Sequence, residues 1–252
     1  MFCLKKFKEG MTGERVEYFY KKGHNNQRGK LSIHTVGRGN SIVWIAIGEK
    51  TKIRKLERED VDRMRNWGKH TNPLFFHYNF PHLSKQERDE WYRLKTGKFR
   101  KKSFVIENLE NEIIGFLSIR DMNWFTGEAE LGIVLDPHHM NQGYGTDGIQ
   151  AFLEYYFRRM RMRTITLRAA VYNKRAIRCY KKCGFEVIGE EIMEFEDQTA
   201  EIFYNPKYQD FEEIFIPSNC GMMTKYVKME LKKRNYEHSI NSMSTKTVWK
   251  CE

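Results

Sequence analysis

The spacing of hydrophobic and polar positions changes along the 252-residue chain, and each change predicts a different kind of element. In the first fifty residues, short β-prone runs at 16–20, 30–35 and 41–47 are separated by polar turns that contain glycine. From Lys52 onward, strand-like runs alternate with segments whose apolar residues have helical spacing. The pattern predicts a β-rich extension over 1–50, followed by an α/β (α+β) domain.

Two helices are predicted early in this domain. Apolar residues at helical spacing predict the first, over 60–67. Ser84 followed by Glu87 forms a capping box, which predicts the start of a second helix over 85–95. The aromatic segment 72–83 between them contains two prolines and is predicted to be a loop.

The rest of the domain alternates strands with helices and is interrupted by an acidic insertion. Residues 194–222 contain seven Asp or Glu residues against one Lys, between two predicted closing strands. Residues after 235 are polar and without pattern, so we expect the domain to occupy 51–235 and a loose tail to occupy 236–252. The further predicted strands are 102–107, 112–121, 129–135, 164–171, 185–194 and 225–232, and the further predicted helices are 146–159 and 173–183.

The formal net charge of +11 permits an anionic partner such as nucleic acid, an anionic cofactor or anionic lipid. The Lys and Arg residues are scattered, however, and no basic motif interleaved with aromatic residues occurs. A basic, solvated surface is therefore the simpler explanation. Nucleic acid is not the partner that the sequence favours.

Cysteine usage and hydropathy predict a cytoplasmic protein. The five cysteines form neither a Cys-x-x-Cys pair nor an even disulfide framework. The N-terminus lacks the apolar core of a signal peptide, and the longest apolar run, 42–47, is too short to span a bilayer, so no membrane partner is expected. The adjacent histidines His138 and His139 follow a proline in a loop and are interpreted as solvated, so no metal is expected.

The turn at 140–146 has the composition of an anion-binding site. Gly143 and Gly145 permit positive φ and close backbone approach between a predicted strand and a helix N-terminus. Free N–H groups and the helix dipole would favour a phosphate there. An ordinary tight turn explains two glycines equally well, and no Gly-Lys-Ser/Thr follows, so the turn is not a nucleotide P-loop.

The helix that follows the next strand is defined at both ends. Asn173 is a good N-cap, and Gly184 supplies the left-handed residue after the helix. Asn173 and Tyr180 are seven residues apart and therefore lie on one face. Capping for Asn173 and core packing for Tyr180 would explain each residue taken alone.

Together, the turn MNQGYGT (140–146) and the helix NKRAIRCYKKCGF (173–185) resemble the GNAT superfamily of acyl-CoA-dependent N-acetyltransferases. The likeness is strongest to the branch that holds ribosomal-protein N-terminal and polyamine acetyltransferases, and it covers about 53–231. It implies a GNAT fold, in which a central mixed, mostly antiparallel sheet is flanked by helices and splayed strands form the acyl-CoA cleft. The family's cofactor motif, Gln/Arg-x-x-Gly-x-Gly/Ala, maps onto Met140, Gly143 and Gly145, and Met140 departs from it.

The resemblance implies that acetyl-CoA is the acyl donor and gives each motif position an expected role. Tyr180 would lie near the sulfur and protonate the leaving thiolate. Asn173 would hydrogen-bond the pantetheine arm near the thioester, and Lys182 would approach the phosphates. The expected backbone contacts are Ile133, Val134 and Leu135 with the pantetheine arm and the amides of Asn141, Gln142, Gly143, Tyr144, Gly145 and Thr146 with the pyrophosphate.

The chemistry also needs a base. With a pKa near 10.4, only about one primary amine in two thousand is unprotonated at pH 7, so a base must remove a proton before the nitrogen attacks the thioester directly in a ternary complex. Glu130, on the strand beside the cofactor, is expected to be this base, because family members often carry an acid there. A salt bridge or a contact with substrate charge would explain Glu130 equally well. Glu128 and His138 are weaker candidates.

The acceptor is the least specified part. The resemblance puts its pocket between the aromatic segment and the acidic insertion, so acid facing the cleft would attract a cationic amine such as a polyamine, an aminoglycoside or a peptide N-terminus. Equally well, the insertion would form its own strands and offset the basic body. Two further classes stay open, a non-catalytic acyl-CoA-binding module, which the presence of Tyr180 disfavours, and a nucleic-acid-binding protein. A homodimer is a further expectation.

Overall fold

The computed structural model gives the backbone of most of the chain. It describes residues 3–9, 13–21, 28–34, 43–97 and 99–246. The predicted extension and the predicted tail therefore lie partly outside the described residues. Among the described residues, no helix is both long and apolar enough to cross a membrane.

The contacts divide the chain into two compact units, one formed by 1–43 with 237–252 and the other by 44–236. The first unit contains a three-stranded antiparallel sheet of β1 (Cys3–Glu9), β2 (Gly13–Lys21) and β3 (Arg28–His34), with β2 in the middle. The division falls after Val43 rather than after residue 50, because the strand 44–47 pairs with the strand that follows it.

A nine-stranded sheet forms the centre of the second unit. Its order is β10-β12-β9-β8-β7-β6-β5-β4, with β11 paired to β12. Only β8 and β9 are parallel among the described pairs, and the others are antiparallel. The predicted mixed, mostly antiparallel sheet is confirmed. The strands are β4 (Trp44–Ile47), β5 (Thr51–Lys55), β6 (Lys102–Asn108), β7 (Ile113–Asn123), β8 (Glu128–Leu135), β9 (Thr164–Ala170), β10 (Glu186–Glu194), β11 (Phe215–Ser218) and β12 (Gly221–Lys232).

The helices begin and end where local chemistry requires. Ser84 and Glu87 exchange the two hydrogen bonds of a capping box, as predicted. The Asn173 side chain accepts a hydrogen bond from the Ala176 amide, and Gly184 follows its helix with a φ of +91°. The helices are α1 (Arg58–Arg63), α2 (Lys85–Thr96), α3 (Tyr144–Glu154), α4 (Lys174–Lys182) and α5 (Lys233–Lys246).

One face of α3, the helix predicted from residue 146, is buried in the core. Ile149, Phe152 and Leu153 are at most 1% exposed, and the helix continues through a π-helical turn over 155–159 that buries Tyr156 completely. Burying each such side chain stabilises the fold by about 1.5–3 kcal/mol. This packing fixes the N-terminus of α3 relative to the sheet.

Two segments differ from the predictions, and the acidic insertion contains a strand of its own, as one of its two interpretations expected. The aromatic loop contains a 3-10 helix, Pro73–Tyr78, because Asn72 caps the Leu74 amide and proline suits a first helical position. The acidic insertion folds into 3-10 turns and β11, because apolar residues between its acids form a core of their own. Helix α5 runs to residue 246, where a loose tail was predicted, and within its first turn Tyr236 packs on Phe157 with ring centroids 5.1 Å apart. The buried members of the insertion core are Leu74, Phe195, Ile202 and Phe215.

Candidate functional site

Strands β8 and β9 separate partway along their length, and this opens a cleft in the middle of the sheet. They pair only from Glu128 to Glu130, although β8 continues to Leu135 and β9 to Ala170. On their outer sides β8 stays paired with β7, and β9 with β12. The inner edge of β8 past Glu130 therefore offers backbone groups to an extended ligand, within a cleft of about 650 Å³.

One end of the cleft is suited to an anion. Gly143, the N-cap of α3, has a φ of +87°, and no side chain caps the helix. The first intrahelical hydrogen bond runs from the Asp147 amide to the Gly143 carbonyl, at 3.1 Å, so the amides of 144–146 have no intrahelical partner. These amides and the positive end of the helix dipole favour a phosphate group.

A second chain segment brings a lysine to the same place. The Asp147 carboxylate accepts hydrogen bonds from the Glu49 and Lys50 amides at 2.8 and 3.0 Å. Lys50 Nζ then donates to the Gln142 carbonyl at 3.0 Å and lies 3.4 Å from where a Cβ on Gly143 would be. Sequence reasoning missed Lys50, because 92 residues separate it from Gln142 and no local pattern marks it.

Asn173 and Tyr180 both line the cleft, and each also serves its helix. Asn173 caps α4 through its side-chain oxygen, which leaves its side-chain NH₂ free to donate. The Tyr180 ring packs edge-on against Phe185, with centroids 6.1 Å apart. Burial, with smaller contributions from Cys179 and Cys183, raises the pKa of Tyr180, so its hydroxyl stays protonated and can donate.

Glu130 is held between two arginines. Arg120 of β7 and Arg168 of β9 each donate to one of its carboxylate oxygens, and Arg168 also binds Glu191. Only 9% of Glu130 is exposed, so this contact fixes the carboxylate at the point where β8 and β9 separate. Both carboxylate oxygens of Glu130 are therefore already occupied by guanidinium donors.

The opposite end of the cleft is aromatic. Its wall includes Tyr78, Phe80 and Trp91, and the Lys95 ammonium lies 5.1 Å from the Trp91 ring centroid. Burial lowers the pKa of Lys95. One carboxylate of the insertion, Glu196, also lines this end. Sequence reasoning named the insertion but did not distinguish Glu196 among its acids.

Two histidines at this end have unsatisfied polar atoms. Both ring nitrogens of His77 and Nε2 of His70 are buried without a hydrogen-bond partner among the described residues. Burial lowers the pKa of His77 to about 4, so its ring is neutral and keeps one nitrogen as an acceptor. A buried polar atom without a partner costs about 1–3 kcal/mol, so a ligand with N–H donors would stabilise this end of the cleft.

Most predicted site residues line one continuous cleft, but two do not. The side chains of Gln142 and Tyr144 face a separate small depression beside Lys50. Their predicted contact is through backbone amides, which lie in the turn before α3 and at its first position. The predicted residues that line the cleft are Glu130, Ile133, Val134, Leu135, Met140, Asn141, Gly143, Gly145, Thr146, Asn173, Tyr180 and Lys182.

Comparison with protein families gives a match to the acetyltransferase (GNAT) domain over residues 50–186. The chain is also similar to the spermidine N(1)-acetyltransferase of Vibrio cholerae, with 29% identity over 164 residues, which is 65% of this chain and 91% of that protein. It is 25% identical to the spermidine N(1)-acetyltransferase of Escherichia coli K12 over 159 residues, which cover 63% of this chain and 81% of that protein.

Among solved structures, the chain resembles spermidine N-acetyltransferase from Vibrio cholerae in complex with CoA and spermine. The TM-score is 0.57 at 24% identity, and the alignment covers 74% of this chain and 98% of the other. The same enzyme in complex with manganese ions gives a TM-score of 0.55 at 25% identity, over 75% and 96% of the two chains. The predicted fold, with its splayed central strands, is therefore confirmed.

Proposed function

Because the chain belongs to the acetyltransferase (GNAT) domain family, we propose that it acetylates a primary amine of a polyamine such as spermidine. The chain is an acetyl-CoA-dependent N-acetyltransferase. The observation that carries the proposal is a single cleft that joins an uncapped helix N-terminus, a free strand edge and an aromatic end with a carboxylate. The first two suit an acyl-CoA donor, and the third suits a cationic, partly apolar acceptor.

We assign the donor to the end of the cleft between β8 and α3. The amides of 141–146 would hold the pyrophosphate, with Lys50 and Lys182 beside it, and the free edge of 133–135 would pair with the pantetheine arm. Asn173 keeps its NH₂ group for the arm near the thioester. The acetyl-CoA would supply the activated acyl group, and the protein holds and orients it.

We assign Tyr180 as the acid for the leaving thiolate. It is cleft-lining and protonated, and its hydroxyl makes no hydrogen bond to any described residue. Glu130 stays a predicted base, although its two arginine partners support the alternative, a salt bridge that fixes Arg120 and Arg168. Positioning of the amine against the thioester would supply most of the rate.

The acceptor assignment rests on the chemistry of the aromatic end. Tyr78, Phe80 and Trp91 offer faces to a methylene chain and to ammonium groups, and a cation over an aromatic ring gains about 0.5–2 kcal/mol. The neutral His77 ring would accept a hydrogen bond from an amine N–H. The similarity to spermidine N(1)-acetyltransferases makes spermidine the first acceptor to test.

The test is CoA release from acetyl-CoA in the presence of different amines. We expect spermidine to give a kcat/KM at least about tenfold above an aminoglycoside, a short peptide with a free N-terminus and an amino acid. A pocket with aromatic faces and a carboxylate should favour a cationic methylene chain over these amines by at least ~1.4 kcal/mol. A higher value for the peptide or the aminoglycoside would contradict the acceptor assignment. No CoA release with any amine would contradict the proposed function itself.

Lys50 allows the phosphate end to be tested separately. Lys50→Met should raise the Kd for CoA about fivefold, equivalent to ~1 kcal/mol, because a charge at a partly exposed phosphate site contributes about that much. Lys52→Met is the matched control, since Lys52 is two residues away and its Nζ binds Asn111 instead. Calorimetric titration with CoA at two salt concentrations measures both. Equal Kd values for the two variants would remove Lys50 from the site.

The expected homodimer stays a prediction. The edge strand β10 supports it, because it exposes Val187, Ile188, Ile192 and Met193 at 37–55% of their surface. Apolar side chains exposed on an edge strand, which has a neighbouring strand on one side only among the described residues, are typical of an interaction surface. A cytoplasmic location also stays a prediction.

A further inference from the structure

The start of the acidic insertion is anchored where it meets the cleft. Phe195 is 2% exposed, and its ring packs against His77 at 4.7 Å and Phe215 at 5.0 Å between centroids. Its amide donates to the Met222 carbonyl at 2.9 Å, and Gln198 Nε2 donates to the Phe195 carbonyl at 2.7 Å. The next residue, Glu196, therefore leaves a fixed main chain and lines the aromatic end of the cleft.

The Glu196 carboxylate has no hydrogen bond or ion pair within the described part of the chain. Glu196 is an exposed residue, but desolvation of its carboxylate at the cleft raises its pKa, while the positive charges of Arg120 and Lys95 act in the opposite direction. Tyr78 lies close enough to both Glu196 and Tyr180 that each contributes, after burial, to a raised pKa of Tyr78. Glu196 and Tyr180 thus face the same section of the cleft. The titratable or charged groups that face Glu196 are Lys95 of α2, Arg120 of β7, Tyr78 of the 3-10 helix, Tyr172 after β9 and Tyr226 of β12.

The two carboxylates that line the cleft differ in what holds them. Glu130 has both oxygens occupied by arginines. Glu196 is near positive charge but keeps its oxygens free, so it can receive an ammonium group and then its proton. Burial and neighbouring charge also raise the pKa values of the three facing tyrosines, that of Tyr226 to about 12, so these tyrosines stay neutral and do not compete for the proton.

We propose that Glu196 is the general base of this enzyme, the carboxylate that binds the acceptor ammonium and removes its proton. This inference rests on the proposed function and assigns the catalytic step that the function leaves open. It gives the insertion a role in the chemistry, since the base comes from residues outside the span matched by the GNAT domain, 50–186.

Glu196 and Tyr180 together account for every proton in the reaction. Glu196 takes one proton from R–NH₃⁺ and becomes a neutral acid, and the free amine forms a C–N bond to the thioester carbonyl carbon. As the C–S bond breaks, Tyr180 donates a proton to the thiolate, and the second ammonium proton, now on the amide nitrogen, returns to the Tyr180 oxygen directly or through water. Glu196 then releases its proton to solvent. The sum is R–NH₃⁺ plus acetyl thioester to acetamide, thiol and one H⁺.

The test is the pH dependence of kcat/KM for spermidine in wild type and Glu196→Gln. Wild type binds the abundant ammonium form, so its value should be nearly flat from pH 7 to 9. The variant must capture the free amine from solution, which becomes about tenfold more abundant per pH unit below pKa 10.4. We expect the kcat/KM of Glu196→Gln to be about 10²-fold below that of wild type at pH 7 and about tenfold below it at pH 8. At pH 9 the two values should be nearly equal.

Two further variants make the result decisive. Glu194→Gln, on the exposed end of β10, should retain the wild-type profile. Glu130→Gln should show a deficit that does not change with pH, because it releases Arg120 and Arg168 rather than removing a base. A pH-independent deficit in Glu196→Gln, or a shrinking deficit in Glu130→Gln instead, overturns the inference. If wild type turns over no amine of the panel, the proposed function is refuted, and Glu196 as base with it. If wild type is active and Glu196→Gln has the same pH profile, only the role of Glu196 as base is refuted. Thermal melting of each variant verifies folding.

Discussion

Replacing Tyr180 by Phe is expected to lower kcat by about 10²- to 10⁴-fold while the Kd for acetyl-CoA stays within about twofold. The ring keeps its packing against Phe185, so the change removes only a hydroxyl. Without that hydroxyl the departing thiolate has no proton donor on α4. Since burial raises the pKa of Tyr180, the wild-type hydroxyl stays protonated, and its ionisation should cause no loss of activity between pH 7 and 9.

The measurement is single-turnover acetyl transfer together with calorimetric binding of acetyl-CoA in the absence of an amine. Tyr156→Phe is the matched control, because the Tyr156 hydroxyl is buried and donates to the Thr164 carbonyl at 2.7 Å outside the cleft. That control should lose about 1 kcal/mol of unfolding free energy and keep its kcat. If Tyr180→Phe turns over as fast as wild type, Tyr180 is a packing residue and the thiolate leaves without its help.

The parts of the site that were predicted from the sequence are those with short-range causes. Gly184 adopts positive φ because it ends a helix, Gly143 permits the positive φ of the turn before α3, and Asn173 caps the helix that follows it. Such signals lie within four or five residues of their effect. Their combination in one chain also carried the family resemblance, and with it the expected splay of β8 and β9.

The parts that were missed depend on long-range contacts. Lys50 reaches the α3 N-terminus because Asp147 binds the Glu49 and Lys50 amides, across almost one hundred residues. Glu196 is one of several acids in its segment, and only the anchoring of Phe195 directs it to the cleft. No spacing rule distinguishes these residues from their exposed neighbours.

For Glu130, the sequence predicted the position but not the side chains that bind it. Its place on β8 was readable from the strand pattern, but its partners come from the register of three strands. Register sets Arg120 directly opposite Glu130 on β7, and Arg168 lies two residues past the last pairing on β9. A carboxylate expected to accept protons is thereby held between two guanidinium groups.

The wall of the cleft depends on a buried charge network around Arg54. Among the substitutions considered, breaking this network should reduce the free energy of unfolding the most. Arg54 on β5 is 4% exposed and binds Asp60 of α1 at 2.7 Å and Glu107 of β6 at 2.9 Å. Both carboxylates are only 2% exposed, and Trp44 donates a further hydrogen bond to Glu107 at 2.9 Å. The network joins α1 to the sheet just before Met64 and Trp67, which line the cleft.

Arg54→Met should therefore reduce the free energy of unfolding by about 3–5 kcal/mol, because it fills a similar volume but leaves two buried carboxylates without their counter-charge. Arg158→Met is the control, since the Arg158 pair with Glu154, at 3.7 Å, is exposed and should contribute less than about 0.5 kcal/mol. Urea unfolding of both variants, followed by tryptophan fluorescence, gives the two differences. A loss below about 1 kcal/mol for Arg54→Met would mean that water or a side-chain shift compensates Asp60 and Glu107. The cleft wall would then be fixed by the apolar packing of Met64 and Trp67 rather than by the charge network beneath them.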